Sequence, residues 1–144
     1  MLPKRRQGAA VRQWRLGGRL SRERIALPAI ALTANSSDIT ALGNDYGFDR
    51  VFARLVEAHG RPGDVAIAIS TSGNSPNVLA AVDEARARGL RTIAWTGRGG
   101  GKLASRVELA LIVPSDDTQR IQESHIAIGH ALAELVDDAL FPKP

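Results

Sequence analysis

The chain contains no cysteine, which excludes disulfides and thiolate chemistry. Aromatic residues are scarce: two tryptophans, one tyrosine and three phenylalanines among 144 residues. No apolar run is long enough to span a membrane, and no signal-peptide pattern opens the sequence. A soluble protein is therefore expected, and the lack of cysteine fits a cytoplasmic one. No histidine precedes His59, and Glu23 is the only carboxylate ahead of Asp38.

What is present suits one domain of ordinary size, with 44% hydrophobic residues to build a core. The formal charge of +4 is unevenly spread. Residues 1–24 hold Lys4, Arg5, Arg6, Arg12, Arg15, Arg19, Arg22 and Arg24 against Glu23, and the remainder is slightly acidic. A solvated basic segment at 1–24 is expected, followed by a domain over 25–144. Basicity confined to a tail ranks nucleic-acid binding below simple solvation.

The stretch from Asp64 to Asn77, DVAIAISTSGNSPN, carries the strongest local signal. Val65–Ile69 is a short unbroken apolar run, which predicts a parallel strand buried on both faces. Ser75 and Pro76 then fit the N-cap and first position of a helix, with Val78, Leu79, Val82 and Ala85 along one side. A hydroxyl-rich turn at the carboxyl end of a parallel strand is where open α/β sheets bind ligands. Its hydroxyls and N–H groups, at the positive end of a helix dipole, suit a phosphate. No lysine accompanies it, so it is not a nucleotide P-loop. A phosphosugar fits better than a nucleoside triphosphate.

Around this unit, Pro28–Thr33 reads as another strand. Asn35–Asp38 reads as a turn and helix cap. Phe48, Val51, Phe52, Leu55 and Val56 recur at helical spacing, and Asn44 and Asp45 fall in a turn before them. Gly89 ends the central helix, Thr92–Trp95 is the next strand, and Gly97–Gly101 reads as a flexible turn. Lys102–Ala104 starts a short helix, Leu109–Val113 is a further strand, and Asp117 or Thr118 caps a long helix to about Leu140. Alternating strands and helices predict an α/β fold, a parallel sheet flanked by helices. On the last helix Gln122 and His130 are about 80° apart around the axis and about 12 Å apart along it. That is long for two ligands of one ion. His125 is offset from their face, and His59 is expected to face solvent.

ISTSGNS at 69–75, with RTIAWTG at 91–97, resembles the SIS (sugar isomerase) domain. Within it the closest likeness is to the phosphoheptose isomerases, supported by LPAIALT at 27–33, LGNDYGFDRVFARLVEAHGRPGD at 42–64 and RIQESHIAIGHALAELVD at 120–137. The resemblance implies a flavodoxin-like three-layer sandwich and isomerisation of sedoheptulose 7-phosphate. It implies sugar and phosphate contacts from Asn44, Asp45, Ser70, Thr71, Ser72, Ser75 and Gln122, with His130 as a catalytic acid/base. It further implies a zinc ion on Gln122 and His130, and a homotetramer.

The family also has an N-terminal helical region, a Gly-Asn-Gly-Gly-Ser phosphate loop, and a helix bearing a histidine and a glutamate. None of these is found here, so the resemblance implies an N-terminally incomplete domain. Codons for residues 4–19, KRRQGAAVRQWRLGGR, read one base later, can encode that loop; a shifted frame with a short deletion, or an error in the gene model, is the expectation, with a divergent natural N-terminus as the alternative. The alternative function is a non-catalytic phosphosugar-binding SIS module or a partner of a DNA-replication initiator, the latter suggested by Leu140, Phe141 and Pro142. His130 favours the isomerase, and the missing glutamate favours the module.

Overall fold

The computed structural model describes residues 9–10 and 23–142. Most of the basic 1–24 segment, and with it the frame-shift reading, lies outside the described residues.

Four parallel strands lie side by side in chain order. They are β1 (Ala9–Ala10), β2 (Val65–Ser70), β3 (Arg91–Thr96) and β4 (Leu109–Ile112). The register is continuous across the centre, from Val65 opposite Arg91 to Ser70 opposite Thr96, and then from Ile93 opposite Leu109 to Thr96 opposite Ile112. Parallel neighbours require crossover connections, and helices supply them. The helices are α1 (Ser36–Tyr46), α2 (Val51–His59), α3 (Pro76–Ala87) and α4 (Thr118–Leu140).

One side of the sheet is an alanine-rich surface under α2 and α3. Ala66, Val56, Ala85 and Leu90 form one cluster, and Ala68, Ala94, Val82 and Leu103 a second. Small residues on the strands let the helices approach closely, while the branched side chains come from the helices at Val56 and Val82 and from connections at Leu90 and Leu103. On the other side Trp95 is fully buried against the His125 ring of α4, with ring centroids 6.2 Å apart. The buried residues of α4 are Ile121, His125, Gly129, Ala133 and Asp137, a strict every-fourth line. Asp117 caps this helix, its carboxylate accepting from the N–H groups of Gln119 and Arg120. Near its far end Asp137 accepts from Arg24 Nε at 2.8 Å, an ion pair whose side chains are 2% and 1% exposed.

Several expectations need correction. Pro28–Thr33 is not a strand: Ile30 alone forms a bridge, and Leu32 and Thr33 are in a turn. Among the described residues β1 contributes two positions to the sheet beside β2. The burial of β2 also differs from expectation. Ala66, Ala68 and Ser70 are buried, but Val65, Ile67 and Ile69 are only half-buried, so the strand is not enclosed on both faces. An apolar cavity of about 220 Å³ runs beside β2, lined by Leu32, Phe52, Ile67, Ile69, Val78 and Val82 among others. The helix expected from Phe48 is also split. Phe48–Arg50 is a separate 3₁₀ turn between Gly47, which ends α1, and the start of α2 at Val51. The short helix expected at Lys102–Ala104 is a 3₁₀ turn at Ala104–Arg106.

Candidate phosphosugar site

The hydroxyl turn follows β2 directly and opens onto the N-terminus of α3. Pro76 occupies the first turn of that helix and Ser75 is its N-cap residue, as the sequence predicts. The Ser75 hydroxyl, however, makes no cap bond. It lies 3.0 Å from the Ser70 hydroxyl instead. Ser70 Oγ also accepts from Gly73 N–H at 3.1 Å, and Ser72 Oγ accepts from Asn74 N–H at 3.2 Å. The turn is thus cross-linked by its own side chains. Among the described residues the N–H groups of Ser72 and Ser75 and the hydroxyl of Thr71 make no hydrogen bond. The first turn of α3 contains no acidic residue to oppose an anion. Free donors, hydroxyls and a helix N-terminus in one concave turn form an anion cradle.

Behind this turn lies the loop after β3. Far from being a flexible connection, Gly97–Gly101 packs against it. Gly97 N–H donates to Thr71 O at 3.0 Å and Leu103 N–H to Gly73 O at 2.9 Å. The approach is so close that a Cβ on Gly73 would sit 2.0 Å from Gly100 O, and one on Gly101 would sit 2.4 Å from Ser72 O. Both glycines also have positive φ, 64° and 55°. Glycine is required here by contact as well as by conformation. A run of glycines right after the strand that neighbours a hydroxyl turn was the available sequence signal, since adjacent parallel strands bring their following loops together.

The other candidate residues are placed elsewhere. Asn44 and Asp45 are not in a turn: they form part of the last turn of α1 and are exposed. Gly43 is accommodated within the helix, and Gly47 ends it. Gln122 and His130 are exposed residues of α4, off its buried line. The structure brings Ser70, Thr71, Ser72 and Ser75 into one turn, while Asn44 and Asp45 lie at the end of α1 and Gln122 and His130 on α4. His59 is exposed at the end of α2. No group of three histidine, aspartate or glutamate side chains able to hold a metal occurs among the described residues. Gln122 and His130 lie eight residues apart on α4, about two helical turns.

His125 is a residue the sequence reading set aside. It is 4% exposed, and its Nε2 lies 3.2 Å from Thr96 O, at the end of β3 just before the glycine loop. Burial lowers its pKa below the usual 6.5, opposed in part by that hydrogen bond. It is a neutral strut between α4 and the loop-bearing end of the sheet.

Comparison with known proteins agrees with this geometry. A model of the SIS domain matches residues 9–97. Phosphoheptose isomerase of Rhodospirillum rubrum is 58% identical over 125 residues, covering 87% of this chain and 66% of that protein. The Aquifex aeolicus phosphoheptose isomerase is 58% identical over 123 residues, 85% of this chain and 64% of that one. The solved phosphoheptose isomerase of Francisella tularensis superimposes with a TM-score of 0.82 at 44% identity, over 85% of this chain and 66% of that chain. The chain therefore spans just under two thirds of the length of these relatives. No helix among the described residues is long and apolar enough to cross a membrane.

Proposed function

This chain belongs to the SIS-domain family, and from its likeness there to phosphoheptose isomerases we propose that it acts on sedoheptulose 7-phosphate, converting it to D-glycero-D-manno-heptose 7-phosphate in the cytoplasm. The observation that carries the reading is the hydroxyl turn at the β2–α3 junction, with Ser70 and Ser75 paired and donors left over for a phosphate. The turn holds the phosphate end. At the other end of the sugar a base takes the C1 proton beside the C2 carbonyl, giving an enediol, and returns a proton to C2, while a proton moves from O1 to O2. Such a reaction needs a group that can both take and return a proton, and His130 is assigned that acid/base role.

His130 and Gln122 are on an exposed face of α4, as are Asn44 and Asp45 at the end of α1. A second copy of the chain, within a tetramer, is assigned the task of bringing such residues to the turn. Exposed Ile126, Leu135 and Leu140 give α4 the apolar surface for that contact. Zinc would need ligands beyond Gln122 and His130.

The chain holds no counterpart of the family's glutamate, the second acid/base by resemblance. A general acid or base contributes about 10²–10⁴-fold, so turnover is expected at least about 100-fold below that of a full-length relative. The test is conversion of sedoheptulose 7-phosphate by the 144-residue chain and by His130→Ala. Turnover lost in the variant supports the assignment, and unchanged turnover overturns it. The second reading, a phosphosugar-binding module without turnover, is favoured by the absence of a counterpart of that glutamate in the sequence. Binding of the sugar phosphate without conversion would establish it.

A further inference from the structure

We infer that Asn74 is a positioning residue that fastens the hydroxyl turn to the glycine loop and so aims the donors of the anion cradle. The inference rests on the reading of that turn as a phosphate site. Among the described residues, Asn74 supplies the side-chain hydrogen bond that joins the two loops. Its Oδ1 accepts from Lys102 N–H at 3.1 Å, and its Nδ2 donates to Ser72 O at 3.0 Å. The remaining links, Gly97 to Thr71 and Leu103 to Gly73, are backbone to backbone.

The consequence follows from peptide planarity. In a trans peptide the C=O and the following N–H point in opposite directions. The carbonyls of Thr71, Ser72 and Gly73 all accept from the glycine loop or from Asn74. Pinning Thr71 O backwards directs the Ser72 N–H the opposite way, and pinning Ser72 O does the same for Gly73 N–H, which is received by Ser70. Asn74 holds the middle carbonyl of the three. Without it Ser72 O loses its partner, and the Ser72–Gly73 peptide is held only at its N–H, by Ser70. The turn is then tied to the glycine loop by the two backbone bonds alone, and its donors are held less closely in place.

The fold does not depend on this contact, since both backbone bridges survive its removal. Asn74 is itself exposed, and no cluster of the core includes it. Asn74→Ala is therefore expected to melt within a few degrees of the parent.

Inorganic phosphate titrated by calorimetry, with amide hydrogen exchange on the same proteins, tests this. In Asn74→Ala the Lys102 amide should exchange at least about tenfold faster, and phosphate affinity should fall about fivefold, the equivalent of one hydrogen bond. Asn74→Asp keeps an acceptor for Lys102 N–H but loses the donor to Ser72 O, so Lys102 protection should persist while affinity still falls. Ser105→Ala removes a bond to Lys102 O in the same loop and should leave affinity unchanged. Parent binding with unchanged affinity in Asn74→Ala overturns the inference alone. A parent chain that binds no phosphate overturns the reading of the turn, and the inference with it.

Discussion

The hydroxyl turn is backed by a second loop of the same chain, whereas the α4 face that carries Gln122 and His130 is exposed. Each holds residues expected to meet the same substrate. In the turn, position is set by backbone contacts so tight that Gly73 and Gly101 leave no room for a Cβ. On α4 the buried line is Ile121, His125, Gly129, Ala133 and Asp137, and the larger apolar side chains Ile126, Leu135 and Leu140 are left outside. A site built by contact within one chain is complete on its own. A site built on an exposed helix face takes its precision from whatever covers that face.

Breaking the contact on the turn side should have the largest effect. Gly73→Val adds a branched Cβ where Gly100 O stands 2.0 Å away, at φ 64°. We expect a loss of about 3 kcal/mol or more, read as a melting temperature lowered by roughly 10 °C. Gly63→Ala is the control that separates strain from contact. Its φ is 87° but nothing lies within 4 Å of the added carbon, so the cost should be only about 1–2 kcal/mol. Equal losses at the two sites would show that conformation, not packing between the loops, demands glycine.

A pH series sharpens the comparison at the strut between the two regions. His125 has a folded-state pKa below 6.5 because burial disfavours its charged form. The unfolded chain therefore binds the proton more readily. The stabilisation is fully present above pH 6.5 and declines as pH falls from there through the folded-state value. Urea midpoints measured across that window should fall in the parent and flatten in His125→Gln. A slope that persists in the variant would assign it to other groups.

The smallest effect on stability is expected on the open side. Ile126→Glu and Leu135→Glu replace exposed side chains, so unfolding free energy should move by within about 0.5 kcal/mol. Sedimentation should nonetheless shift towards monomer if that face is where copies meet. A large stability loss without a change in mass would place these residues in the core of a single chain instead.

Local chemistry made the turn and α4 legible in the sequence. Ser75 and Pro76 mark the start of α3 by their own conformational preferences, and Asp117 announces α4 by its cap. What was not legible depended on neighbours distant in sequence. The 97–101 segment looks flexible when read alone, because glycine runs usually are. Only the parallel pairing of β2 with β3 puts Gly100 against Gly73. Pro28–Thr33 has the composition of a strand but needs a paired neighbour to become one. Asn44 and Asp45 looked like turn residues because Gly43 precedes them, yet a single glycine costs a helix only about 1 kcal/mol. The helix continues to Tyr46.

The ion pair between Arg24 and Asp137 joins residues 113 positions apart, and this has a bearing on the order in which the chain can fold. As the ribosome releases the chain from its N-terminus, Arg24 emerges long before its partner. The β2–α3–β3 unit can assemble from neighbours close in sequence, but Asp137 is made only when α4 is almost complete. Closing so long a loop is slow and comes at an entropic cost. Arg24 also lies 5.9 Å from the ring centroid of Phe141, so the last residues of α4 complete its surroundings. The clasp that fixes Arg24 to the body of the protein is thus among the last contacts available to a growing chain.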